Sequence, residues 1–155
     1  MKWNALELKV PPVVVFLVFA GAAWAAASWC PWAQLVLPGH RRVAILLFAA
    51  GGLLGISGVI SFLRAGTTLH TVRPQRATAL VRTGIFRISR NPMYAGLLCM
   101  LAGEPMALSN GLALLLLPMF VAYMNRFQIG PEERALRARF GADYEAFAKS
   151  VRRWL

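Results

Sequence analysis

Residues 43–63 read VAILLFAAGGLLGISGVISFL, with no charged side chain, between Arg42 and Arg64. At about 1.5 Å per residue, such a run covers the roughly 30 Å hydrocarbon core of a bilayer. It reads as a membrane-spanning helix with a cation at each end. Gly51, Gly52, Gly55 and Gly58 recur at helical spacing and leave one face nearly bare, so a second helix can approach closely. Upstream, residues 12–29 (PVVVFLVFAGAAWAAASW) form another span, with Trp24, Trp29 and Trp32 placed as interfacial anchors. Lys2, Lys9 and the small residues Ala25 to Ala27 also suit a signal peptide. The apolar stretch exceeds a usual signal core, so a retained helix is expected.

The rest of the chain agrees with a bilayer as its solvent. Its 155 residues are 58% apolar and 15% charged, against about 25% charged in soluble domains. A single soluble domain of this length cannot bury so much apolar surface. The net charge of +11 falls in short segments between apolar runs. That pattern suits lipid headgroups and argues against nucleic acid as a partner. Cys30 and Cys99 sit in or beside apolar runs without metal-ligand spacing, and His40 and His70 are the chain's two histidines, so no metal is expected.

From Asn91 to Asn125 the one charge is Glu104. A single helix there would be about 50 Å long, too long for one crossing. Ser109-Asn110-Gly111 breaks it into a hairpin, giving spans at about 93–108 and 112–127. Glu104 is an ionisable group inside a span, which points to function unless it reaches the outer interface. After Pro131, the positions Leu136, Phe140, Tyr144, Phe147 and Val151 mark an amphipathic helix. It is expected to lie on the membrane and end in an Arg152-Arg153-Trp154 anchor. The predicted architecture is all-α and integral to the membrane: about four transmembrane helices, a cytoplasmic loop and a C-terminal amphipathic helix in one domain, 1–155. Arg64, Arg73, Arg76, Arg82, Arg87 and Arg90 crowd the 64–92 segment, and more cations follow the fourth span. Both termini and this loop are therefore expected in the cytoplasm, on a bacterial-type inner membrane.

That loop also carries apolar residues, Leu80, Val81, Ile85, Phe86 and Ile88, and long loops of this mixed character are usually functional. Residues 80–96, LVRTGIFRISRNPMYAG, resemble the pattern LV-x-x-G-x-[YF]-x-x-x-R-[HN]-P-x-Y-x-G. That pattern belongs to the isoprenylcysteine carboxyl methyltransferase-like family, relatives of the phospholipid N-methyltransferases. Downstream, Glu132-Glu133-x-x-Leu136 and Phe140-Gly141-x-x-Tyr144 are similar to the family's second signature. The resemblance spans about residues 66 to 153, and spacing within each block matches without a gap. Better-known members carry histidine where this chain has Asn91, which hydrogen-bonds but does not titrate near neutrality.

The resemblance implies a membrane methyltransferase that uses S-adenosylmethionine, yields S-adenosylhomocysteine, and needs no metal. Its cofactor would be enclosed by segments 78–96 and 126–147 at the cytoplasmic face. Leu80, Val81 and the backbone at Gly84 would line the adenine. Glu132 or Glu133 would accept from the ribose hydroxyls or the ammonium, and Arg90 would pair with the cofactor carboxylate. Asn91 and Tyr94 complete that set. Asn125, Arg126 and Gln128 would hold the acceptor, with Arg126 suited to a carboxylate. Each has a plainer reading: paired glutamates favour any helix N-terminus, the arginines suit headgroups, and Asn91-Pro92 is a helix start. The expected acceptor is a lipophilic molecule of the isoprenylcysteine-carboxylate type, entering from the bilayer. A phospholipid amine or a small thiol is the alternative within the superfamily. A non-catalytic four-helix subunit or small transporter is the alternative outside it. Acceptor identity and oligomeric state are left open by the sequence.

Overall fold

The computed structural model describes residues 7–66 and 79–155. His70, Arg73, Arg76 and Thr78, which belong to the basic loop, lie outside the described residues. Among the described residues the protein is helical, with two isolated β-bridges and no strand. Helix α1 spans Pro12–Trp29, α2 His40–Arg64 and α3 Pro92–Leu108; α4 spans Leu116–Tyr123, α5 Gly130–Phe140 and α6 Ala142–Ser150. Short 3-10 turns occupy Pro31–Ala33, Gly84–Arg87 and Leu112–Leu115.

Three helical segments are long and apolar enough to cross a membrane: Pro12–Trp29, His40–Arg64 and Leu112–Phe140. Their outward faces carry Leu17, Val18, Ile45, Leu46, Leu53 and Leu63, all largely exposed. Apolar belts of that extent belong against lipid. The shorter α3, 17 residues with Pro105 inside it, packs antiparallel along α2. A Cβ at Gly51 would lie 2.6 Å from the Gly96 carbonyl oxygen, and one at Gly96 would lie 2.6 Å from that of Gly51. The two backbones therefore touch, which no larger residue allows at either position.

A core of Val15, Tyr94, Leu101, Phe120, Met124 and Ile129 joins α1, α3 and α4. At one end of the bundle, buried Asn110 holds two loops together. Its Nδ2 donates to the Cys30 carbonyl at 3.2 Å, and its Oδ1 accepts from the Leu112 amide at 3.0 Å. At the other end, Val81, Phe86, Tyr144 and Phe147 form a second cluster that ties the 79–91 segment to α6.

The helix after α4 changes pitch. Residues Met124–Ile129 form a π-turn in which the Gly130 amide donates to the Asn125 carbonyl. Pro131 has no N–H for the Phe127 carbonyl four residues back. The Leu8 amide donates to that carbonyl at 3.0 Å and so draws the N-terminal segment onto the turn.

Two expectations need correcting. The amphipathic helix after Pro131 is two helices, α5 and α6, because Gly141 adopts φ +50° between them. Apolar spacing carries on across that break and hides it. Nor is Arg152-Arg153-Trp154 a free membrane anchor. The Arg90 amide donates to the Arg152 carbonyl at 2.9 Å, and Trp154 Nε1 donates to Asn125 Oδ1 at 3.1 Å, so the tail folds back onto the bundle.

Candidate functional site

Asn91 and Pro92 start α3, and the chain just before them pairs with the C-terminal tail through the Ser89–Arg152 bridge. Asn91 Nδ2 donates to the Arg153 carbonyl at 2.9 Å. That fixes the Arg153 side chain over α5, where Nε and Nη2 reach the two Glu133 oxygens at 3.0 and 2.7 Å. Arg90 approaches the same carboxylate, with Nη1 at 3.2 Å, and donates to the Tyr144 hydroxyl at 3.3 Å. Two guanidiniums thus meet one carboxylate in a mostly buried network. Burial, reinforced by the Glu133 charge, holds the Tyr144 phenol above its usual value of 10.0, so it stays protonated at neutral pH.

Glu132, next in sequence, faces another way and accepts from the Tyr94 hydroxyl at 3.0 Å. With Phe62, Phe86, Arg90, Asn91, Met93 and Tyr94 it bounds a small cleft of about 20 Å³. Arg90, one of the residues lining it, has its Nε buried with no hydrogen-bond partner among the described residues. An orphaned guanidinium donor is costly unless a further acceptor arrives. Leu80 and Val81 pack in the cluster behind the cleft, and Gly84, at φ +62°, lies against Ser61 of α2.

A second, larger space adjoins the first. An apolar groove of about 470 Å³ runs between the start of α1, α2 and α3. Its floor includes Gly52 and Gly55, beside which a Cβ would meet nothing within 4 Å. Met93 and Tyr94 wall both the groove and the cleft. The glycine face therefore has two uses: Gly51 and Gly58 let α3 in, and Gly52 and Gly55 leave the groove open.

The structure brings Arg90, Asn91, Tyr94 and Glu132 to the cleft and joins Glu133 to them through Arg90. Asn125, Arg126 and Gln128 are not among the residues bounding it. Asn125 accepts from Trp154; Gln128 is fully buried and donates to the Val10 carbonyl. Arg126 Nη1 is 2.6 Å from Glu7, whose other oxygen is 2.5 Å from Arg134 Nη2. The Arg126 hydrogen bond, with both positive charges adding, holds the Glu7 carboxyl below its usual range. Glu104, half-buried, borders a separate cavity with Ala20, Trp24 and Leu108.

Sequence reading gave no site role to Glu7, to Tyr144 of the second signature, or to Arg153 of the terminal anchor. The contacts that define Glu7 lie 119 and 127 residues away in the chain, beyond any local pattern. One signal was available: Glu7 is the sole acid before Glu104 in a strongly basic chain.

The model of the phospholipid methyltransferase family matches residues 40–143, which include the cleft and most of the groove. The chain is 27% identical over 107 residues to protein-S-isoprenylcysteine O-methyltransferase B of Arabidopsis thaliana, covering 69% of this chain and 54% of that protein. It is 26% identical over 107 residues to protein-S-isoprenylcysteine O-methyltransferase A of the same plant, again over 69% and 54%. It is also 41% identical over 63 residues to an uncharacterized protein of Haemophilus influenzae, covering 41% of this chain and 100% of that one. The match spans about half the length of the plant relatives. No solved structure matches the chain.

Proposed function

The chain belongs to the phospholipid methyltransferase family, and we propose that it transfers a methyl group from S-adenosylmethionine to a lipophilic acceptor drawn from the bilayer. The observation that carries this reading is the shared wall of Met93 and Tyr94. It sets an oily groove for an acceptor tail beside a polar cleft for a charged cofactor. The donor set suits that cofactor. The orphaned Nε of Arg90 offers a hydrogen bond to its carboxylate, and Glu132 and Glu133 offer acceptors to its ammonium and ribose hydroxyls. The described walls enclose only about 20 Å³, so in this reading Arg153 would give up Glu133 to make room for the cofactor.

When bound, the sulfonium supplies an electrophilic methyl. The protein's part is to align the acceptor with it and keep water out. Tyr94 orients Glu132 and separates the two compartments, and the apolar groove excludes water from the acceptor side. In the same reading α3 is a fourth crossing, and the basic end of the bundle, with both termini, faces the cytoplasm. An isoprenylcysteine-type carboxylate is the acceptor that the plant relatives' names favour.

Calorimetry with adenosylhomocysteine tests the cofactor assignment. The wild type is expected to bind, and the Arg90→Ala, Glu133→Ala double variant to lose at least about tenfold in affinity, as loss of charged hydrogen bonds implies. Absent wild-type binding, or unchanged binding by the double variant, would sink the reading.

A further inference from the structure

The segment that carries Arg90 and Asn91 to the cleft holds two more arginines that the cleft does not use. Across the short 3-10 turn Gly84–Arg87, Arg82 and Arg87 border one cavity of about 360 Å³. Its other walls are Ala146, Phe147 and Ser150 of α6, with Val151 just beyond. None of these residues bounds the cleft or the groove. Arg87 is exposed and has no hydrogen-bond or ion-pair partner among the described residues. Arg82 Nη2 lies 3.1 Å from Asp143, whose side chain is 75% exposed. The nearby Glu145 is held by Arg137. The Phe147 carbonyl, in the last turn of α6, already accepts from the Val151 amide and the Ser150 hydroxyl.

We propose that Arg82 and Arg87 receive the phosphate of an anionic phospholipid headgroup, and that the seated headgroup pins the 79–91 segment to α6. A guanidinium fork matches phosphate oxygens, and Arg87 has no acceptor of its own to give up. Asp143 is the opposing charge on Arg82. An ion pair so exposed is weak, and a phosphate replaces it at little loss. The rest of the cavity suits a lipid better than a free anion. Phe147 and Val151 offer apolar surface to the glycerol carbons beside the phosphate. Ile88, immediately after Arg87, is 60% exposed, an apolar side chain that gains by resting among lipid. The cavity also lies at the basic end of the bundle, where anionic lipids gather around cations.

Occupancy of the cavity reaches further than its own walls. Phe147 lines it, and Phe86, which packs in the same apolar cluster, lines the cleft. The segment is tied to the C-terminal region by the Ser89–Arg152 bridge and the Arg82–Asp143 pair. A headgroup held by Arg82 and Arg87 against α6 adds a further tie. The lipid composition of the surrounding leaflet then sets how firmly Arg90 and Asn91 are held. This follows from the packing alone and does not depend on what the cleft binds.

The test uses the full chain in nanodiscs of phosphatidylcholine, with or without phosphatidylglycerol, and native mass spectrometry to count the lipids it retains. The wild type is expected to keep phosphatidylglycerol in preference to phosphatidylcholine, and Arg87→Gln to lower that preference about fivefold. Arg64→Gln removes one exposed cation outside the cavity, and is expected to change the preference by less than about twofold. Equal losses in the two variants mean diffuse attraction and overturn the proposal. Hydrogen exchange on the wild type gives an answer that does not depend on any variant folding. The Phe86 and Ser89 amides, which donate to the Thr83 and Ile85 carbonyls, should exchange more slowly with phosphatidylglycerol at matched ionic strength. Unchanged exchange overturns the proposal. Inorganic phosphate added to phosphatidylcholine discs is expected to leave exchange unaltered. Slowing by phosphate alone assigns the cavity to a soluble anion and overturns the lipid headgroup. Failure of adenosylhomocysteine to bind removes the methyl-transfer reading and leaves these outcomes as they stand.

Discussion

Glu133 receives Arg90 and Arg153 together, and only Arg90 reaches the cleft. The two arginines therefore have opposite expected effects. Arg153 is about two-fifths exposed, and an ion pair of that exposure contributes up to about 1 kcal/mol. If the cofactor must push Arg153 aside, Arg153→Ala removes that opposition. Adenosylhomocysteine affinity is then expected to rise by up to about fivefold while the melting temperature falls. Weaker binding by this variant, read by calorimetry, would instead place Arg153 among the cofactor's own contacts. Arg90 was readable from its place in a spaced motif. Arg153 was not, because a basic residue beside a terminal tryptophan looks the same whether it faces headgroups or folds back on a glutamate.

The pairing of α2 with α3 separates two glycines that are adjacent in sequence. Gly51 meets the backbone of Gly96, so Gly51→Ala forces the helices apart and should cost about 1–3 kcal/mol, as overpacking generally does. Gly52 faces the groove and has open space beside it. Gly52→Leu gains roughly 1 kcal/mol of helix propensity while filling the groove proposed for the acceptor. Thermal melts and methyl-transfer kinetics should therefore part company. The first variant melts lower; the second holds its melting temperature and shows a KM raised about tenfold for a farnesyl probe, N-acetyl-S-farnesylcysteine. A stable Gly52→Leu with normal KM would remove the groove from the acceptor's path. The apolar runs announced these helices well, since length and lack of charge suffice in lipid. They could not announce the π-turn or the break at Gly141. Those depend on a missing N–H at Pro131 and on one positive φ, neither of which disturbs the apolar spacing.

Across the whole molecule the two ends of the bundle are built differently. One end is closed by neutral hydrogen bonds around Asn110, between loops carrying few charges. The other gathers Glu7, Arg90, Arg126, Glu132, Glu133, Arg134 and Arg153. Charge placement along the sequence foretold which end would be polar. It did not foretell how the N- and C-terminal segments would close on that end, because pairing across the length of the chain is a property of the fold.

The groove lies between helices whose outer faces are themselves apolar, and in the proposed reading its mouth faces the membrane rather than water. An acceptor that arrives by that door is counted in two dimensions. The relevant quantity is its mole fraction among the lipids, and bulk molarity becomes immaterial once partitioning is complete. Diluting the farnesyl probe about tenfold with inert phosphatidylcholine, at fixed protein and fixed total probe, should lower the initial rate nearly in proportion below saturation. A rate indifferent to such dilution would mean that the acceptor comes in from the aqueous side.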